Sequence, residues 1–262
     1  MSQIVFTRLD PLLSELEAND LAFIKTTISK LRSRNIPLVL VTDKTRVEVE
    51  AWQQQFELHS PFIVEQGSGI FIPQANRNFN PSATIAIDNY YLYQLGCSYT
   101  EARAALKAVQ EEINKILRGF GDMDEKNIQP LIGSSQSAAR KAKAREFSEY
   151  FITPNRLEIK ELQHVATEYN FKIVPGDRLS LILGAGADEI AAIKWLIECF
   201  TGEDIRTIGL GSIVDDLNLL ETVDIPIVIP TFEGIPSYFS DRNWQTTSNS
   251  GIEGWAEALS NI

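Results

Sequence analysis

Two apolar runs separated by a helical pattern constrain the fold most. IVFT (residues 4–7) and IPLVLVT (36–42) have no polar alternation, so each strand must be covered on both faces. Between them, LEANDLAFIKTTISKLRSRN places Leu21, Ile24, Ile28 and Leu31 on one helical face, which makes a βαβ crossover. The first strand delivers Arg8 and Asp10 to its C-terminal tip, the end at which open α/β sheets build their sites.

The pattern continues with a helix around TRVEVEAWQQQFEL, the strand PFIVEQ and a hairpin-like GSGIFIP. It then changes to an α+β order that includes helix TEARAALKAVQEEINKIL, a polar Ala/Lys-rich helix, strand EYFIT, helix RLEIKELQHVATEYN and strand FKIVPGDRLSLIL. The doubly wound order resumes with a helix carrying Ile193, Trp195, Leu196 and Ile197, the strand RTIGLG, the short helix VDDLNLLETV and the strand IPIVIP. The expected architecture is an α/β, doubly wound, mostly parallel sheet core with an inserted α+β cap domain. Its expected bounds are 1–80 and 184–262 for the core and 81–183 for the cap.

A chain of 262 residues that is 44% apolar can bury a core of this size, and its net charge of −11 argues against nucleic acid or an anionic membrane as partner. Cys97 and Cys199 lack zinc-type spacing and suit a reducing compartment, and no apolar run approaches the ~18 residues of a spanning helix. A cytoplasmic location is expected.

Four loops carry a resemblance: TRLDPLL, VLVTDKTR, GAGADEIAAIKWL and GLGSIVDDLNLLETVDIP. Their order and spacing resemble the four motifs of haloacid-dehalogenase-type phosphohydrolases. VEQGSGIFI, ARKAKAREFSEYF, LETVDIPIVI and RNWQTTSNSGIEGWAEAL narrow the likeness to the mannosyl-3-phosphoglycerate phosphatase family, nearly end to end. The resemblance implies an aspartate nucleophile, a second aspartate as acid/base, a hydroxyl residue and a lysine holding the phosphoryl group, and Mg²⁺ on carboxylates.

Against that pattern the nucleophile position is Arg8, which has no lone pair to attack phosphorus. Asp10 keeps the acid/base position, Thr42 the hydroxyl position and Lys44 the lysine of the family's S-K-T. Glu189 stands where the family has its third-motif lysine, and Ser212 replaces the first aspartate of G-D-x-x-N-D, leaving Asp215 and Asp216. Asp10 and Asp216 are then the expected metal ligands, in a site that has lost two carboxylates and gained a cation. Arg8 and Glu189 reverse the family's signs together and are expected to form a buried or half-buried ion pair.

Lys143, Arg145 and Glu146 fall on the positions through which the resemblance implies contact with a phosphorylated sugar or glycerate, and Tyr150 replaces an expected proline. Plainer roles stand beside these: Asp10 as a turn or helix cap, Thr42 as the N-cap of the next helix, Asp215 and Asp216 as dipole partners, and 140–146 as a solvated face. His59 and His164 read as surface or core-packing residues, and Trp244 and Trp255 as core or core-edge aromatics. Three functions follow: a non-catalytic phosphatase-like protein with a ligand or partner cleft, an active Mg-dependent sugar-phosphate phosphatase, and a protein-interaction module.

Overall fold

The computed structural model describes residues 2–8 and 18–262. In chain order the elements are β1 (Ser2–Thr7), α1 (Ala18–Ser33), β2 (Leu38–Val41), α2 (Arg46–Phe56), β3 (Phe62–Val64), β4 (Gly69–Pro73), β5 (Ile85–Ile87) and β6 (Tyr90–Gln94). Then come α3 (Tyr99–Glu112), α4 (Glu125–Ile132), α5 (Gln136–Lys143), β7 (Ser148–Ile152), α6 (Arg156–Glu168), β8 (Phe171–Val174) and β9 (Leu179–Gly184). The chain continues through α7 (Glu189–Cys199), β10 (Ile205–Gly211), α8 (Leu217–Thr222), β11 (Ile225–Val228), α9 (Ser237–Ser240), β12 (Gln245–Thr246) and α10 (Gly251–Ser260).

The large sheet has the order β12-β11-β10-β1-β2-β3-β4-β6-β5, parallel from β12 to β3. β1 pairs with β10 on one side (Ser2↔Ile205 to Thr7↔Leu210) and with β2 on the other (Val5↔Leu38 to Thr7↔Leu40). The order of the chain reverses around β1, so its C-terminal tip lies at the switch point where open α/β sheets leave a crevice.

Period-two alternation explains the need for cover on both faces. Val5 enters the core cluster that holds Ile24, Ile28, Leu31 and Trp255, whereas Ile4 and Phe6 enter the opposite one with Val41, Ile193 and Leu196. Each such fully buried side chain contributes about 1.5–3 kcal/mol. Trp255 is wholly buried on α10 and donates from Nε1 to Thr7 Oγ1 at 3.2 Å, tying the C-terminal helix to the end of β1. Trp244 is partly buried and packs on Phe239.

The cap is a three-stranded antiparallel sheet, β7-β9-β8, with α3 and α6 packed through Leu106, Val109, Leu162 and Ala166 against Phe151 and Ile182. Smaller α4 and α5 close a second cluster of Phe120, Met123, Ile128, Ala139 and Ala142.

Some expectations need correction. Residues 85–94, expected to open the cap, form the β5–β6 hairpin at the edge of the large sheet, with β6 paired to β4 (Gly69↔Gln94 to Pro73↔Tyr90). The smaller sheet system begins beyond Gln94. FKIVPGDRLSLIL is two antiparallel strands, because Pro175 and Gly176 turn the chain between them. The cap of α2 is Thr45, not Thr42: Thr45 Oγ1 accepts from Glu48 N, and Glu48 reaches back to Thr45 N in a capping box. His59 and His164 are exposed, which selects the surface alternative for both.

The turn after β3 fixes the site's floor. Glu65, Gln66 and Gly67 have φ of 49°, 59° and 77° in succession, and a Cβ on Gly67 would lie 2.4 Å from the backbone of both Asp188 and Glu189. Only glycine combines the left-handed conformation with so close an approach to the start of α7. Gly67→Ala is expected to lose about 2 kcal/mol or more, read as a lowered urea midpoint.

Candidate functional site

The first strand ends in a cation held by two carboxylates. Arg8 Nη2 lies 3.0 and 2.9 Å from Glu189 Oε1 and Oε2, and Arg8 Nε lies 3.1 Å from Asp216 Oδ1. All three side chains are buried. Three chain segments meet here: the tip of β1, the first residue of α7, whose N-cap Asp188 accepts from Ala191 N, and the 3₁₀ turn at 214–216. Asp216 Oδ2 also accepts from the backbone N–H groups of Ser212 (2.7 Å) and Ile213 (3.0 Å). The ion pair expected between Arg8 and Glu189 is therefore present, with Asp216 as a second partner that the sequence reading had assigned to metal or to the dipole of a helix. Asp216 makes no side-chain cap to α8, and Asp215 is exposed.

Burial raises the pKa of Glu189 and of Asp216 above the usual carboxylate range, while Arg8 pulls both down in part. The position of Asp10 lies outside the described residues.

At the tip of β2, Thr42 is buried and its Oγ1 accepts from Lys44 N at 3.1 Å. Lys44 Nζ sits 3.8 Å from Asp43 Oδ1 at the rim. The cap residues lean on this edge. Arg145 is buried, donating from Nε to Ser148 Oγ (2.8 Å) and from Nη2 to the Asp43 carbonyl (2.9 Å). Glu146 accepts both arms of Arg46 (Nε and Nη2, 3.0 Å each). Lys143 turns away and donates to the Met123 carbonyl inside the cap. Lys143, Arg145 and Glu146 are thus engaged inside the chain, so 140–146 is only in part a solvated face.

Glu65 is the buried hub beneath them. Its carboxylate accepts from the backbone N–H of Glu146 (2.9 Å) and Phe147 (3.1 Å) and from the Ser148 hydroxyl. Sequence reading missed Asp43, Arg46 and Ser148 as members of this cluster. Asp43 lay in plain view inside the second motif, and Glu65 inside VEQGSGIFI, but nothing in the sequence marked Arg46.

No protein-family model matches the sequence. A glucosyl-3-phosphoglycerate/mannosyl-3-phosphoglycerate phosphatase of Persephonella marina is 32% identical over 259 residues, covering 98% of this chain and 95% of that one. The chain belongs to the mannosyl-3-phosphoglycerate phosphatase family. A family member of the same name from Methanococcoides burtonii is also 32% identical, over 89% of this chain and 87% of its own. The fold of the family's superfamily is seen in a haloacid dehalogenase-like hydrolase from Bacteroides thetaiotaomicron (TM-score 0.68, 12% identity, all of both chains). A haloacid-dehalogenase subclass IIB sugar phosphatase matches at TM-score 0.64 and 11% identity over 99% of this chain and 98% of that one.

Among the described residues, the magnesium that the resemblance implies finds a poor donor set. Mg²⁺ wants an octahedral shell of hard oxygens, but Asp216 spends one oxygen on Arg8 and the other on two N–H groups. Among the described residues no group of three or more Asp, Glu, His or Cys could hold a metal. Nor is any described helix long and apolar enough to cross a membrane.

Arg8→Ala leaves two carboxylates buried without their cation and is expected to cost about 3–5 kcal/mol at neutral pH. The loss should depend on pH. Raised carboxyl pKa values mean that the folded chain keeps protons the unfolded chain has shed, so stability falls as pH rises through the raised values. Removing Arg8 lifts both values further. Urea unfolding should therefore show a smaller deficit at about pH 4.5 than at about pH 8.

Proposed function

We propose that this chain is a phosphatase-family protein that does not hydrolyse phosphomonoesters through the tip of its first strand, and that its core–cap cleft takes a phosphorylated sugar or glycerate-type ligand. The observation that carries this reading is Arg8 held by Glu189 and Asp216. In-line attack on phosphorus needs a lone pair on the attacking atom, and a guanidinium that stays protonated has none to give. The seat of a phosphoryl group in such a site also needs cations facing it, yet Glu189 contributes a negative charge there. Thr42 and Lys44 keep a hydroxyl and a cation at the tip of β2, which supports binding of an anionic ligand without turnover.

Retained hydrolysis is the reading that end-to-end similarity to proteins named phosphatases favours. One assay separates the two. Phosphate release is followed from mannosyl-3-phosphoglycerate and from an aryl phosphate, with magnesium present, for the unmodified protein and for the triple variant Arg8→Asp, Glu189→Lys, Ser212→Asp. The unmodified protein is expected at background. The triple variant, checked for folding by circular dichroism, is expected to exceed it by about a thousandfold or more, in line with what loss of a nucleophile removes. Robust turnover by the unmodified protein would sink this reading.

A further inference from the structure

A second cluster joins core to cap beside the Arg8 site. Asp43 follows Thr42 at the tip of β2, and its Oδ2 accepts from the Tyr150 hydroxyl of the cap strand β7 at 2.6 Å. The Arg145 guanidinium lies over the Tyr150 ring, 4.4 Å from its centroid, and donates to the Asp43 carbonyl at 2.9 Å. Its Nε is 3.4 Å from Glu65, whereas its Nη1 is buried with no hydrogen-bond partner. Lys44 Nζ stands 3.8 Å from the other carboxylate oxygen of Asp43.

We propose that Asp43 is a built-in anion that clasps the cap shut on the core, occupying beside the Tyr150 hydroxyl and Lys44 the place that an incoming anion would otherwise take. Two observations bear on it. The phenol–carboxylate bond crosses from cap to core and joins residues 107 apart in sequence. The cations around Asp43 already have a counter-ion within the chain, while a buried Arg145 nitrogen still lacks an acceptor. Burial pushes the Asp43 pKa up, but Lys44, Tyr150, Arg145 and Arg8 together hold it below the usual value, so the carboxylate is charged. Burial lifts the Tyr150 hydroxyl well above its ordinary pKa, so it remains the donor.

The place that the Asp43 carboxylate holds beside Lys44 and the Tyr150 hydroxyl suits an anion, so an added anion fills it once that carboxylate is removed. The inference stands whether or not hydrolysis survives, since it concerns cap movement, and its test reads exchange and no turnover.

Hydrogen exchange of the full chain by mass spectrometry reports the clasp in residues 141–148, where Glu65 holds the Glu146 and Phe147 amides. Residues 2–7 and 205–211 of the large sheet serve as the control. Tyr150→Phe keeps the ring over Arg145 and removes only the hydroxyl; Asp43→Ser removes the carboxylate. Each is expected to speed exchange in 141–148 roughly tenfold or more, the scale of a hydrogen bond to a charged group. The double variant should go no further than the faster single one. Inorganic phosphate should slow Asp43→Ser back toward the unmodified protein and leave the unmodified protein unchanged. The proposal is overturned by unmodified rates in either single variant, by additive effects in the double variant, by phosphate failing to slow Asp43→Ser, or by an equal rise in the control strands.

Discussion

The site is organised around one buried guanidinium. Moving a charge out of water costs several kcal/mol, and partners repay it only when they lie close and hydrogen-bond well. Arg8 meets that condition with a bidentate contact to Glu189 and a further bond to Asp216. These partners lie 181 and 208 residues away in sequence, so the ion cluster forms only when β1, α7 and the 212–216 loop have come together. Two carboxylates around one cation leave an excess negative charge, which the N–H groups of Ser212 and Ile213 offset at Asp216. The same contacts that satisfy the arginine occupy both oxygens of Asp216, so balancing the charge and engaging that carboxylate are one event.

A second buried carboxylate, Glu65, organises the contact between core and cap. It accepts from two consecutive amides and a hydroxyl of the segment leading into β7. Its left-handed backbone conformation also begins the turn that brings Gly67 against the start of α7. One short turn therefore sets both the height of the Arg8 cluster and the seat of the cap. Arg46 adds a fork to Glu146 from the helix that Thr45 caps, and Thr45 Oγ1 in turn donates to the Lys141 carbonyl at 3.0 Å. Arg145 and Glu146 on the cap thus act as fasteners to the core, through the Asp43 carbonyl and Arg46.

Much of the fold was legible because the physical signals were long-ranged in sequence. Strands apolar on both faces require helices on both faces, and the resumption of that order near Glu189 marks the end of an insertion. The meeting of Arg8 with Glu189 was legible for an electrostatic reason, since each substitution alone would strand a charge. Asp216 was assigned a metal because a carboxylate at that position has two possible uses, and the choice depends on what stands 3.1 Å away. The bound at residue 81 took in residues 85–94 because a short, partly exposed strand pair carries no signal for its neighbour; in the fold they pair to β4, with the core residues Phe71 and Leu92 facing each other. Thr42 and Thr45 both fit a helix cap by type, and only Thr45 has a Glu three residues on. Lys143 illustrates the limit for long side chains, whose flexible stems let the charged end find a carbonyl in either direction.

The charge pattern at the sheet edge is set apart from the apolar scaffold around it. Most of the buried residues that define this fold, such as Phe6, Val39, Ile193 and Trp255, are indifferent to the sign of the charge at position 8. Positions 8 and 189 are tied to each other much more tightly than either is tied to the core. Aspartate at 8 with glutamate at 189 would gather three acidic side chains with Asp216 around a point that Arg8 now neutralises, and arginine at 8 with lysine at 189 would place two cations in the same buried space. Each half-changed state carries an uncompensated charge of the kind that destabilises buried sites by several kcal/mol. The arrangement is therefore separated from a family-type site by coupled changes, and the effects of single substitutions at 8 and 189 cannot be added to obtain the effect of both. A site in which the sign of one residue dictates the sign of its neighbour holds its chemistry as a unit, while the scaffold around it varies or persists on its own terms.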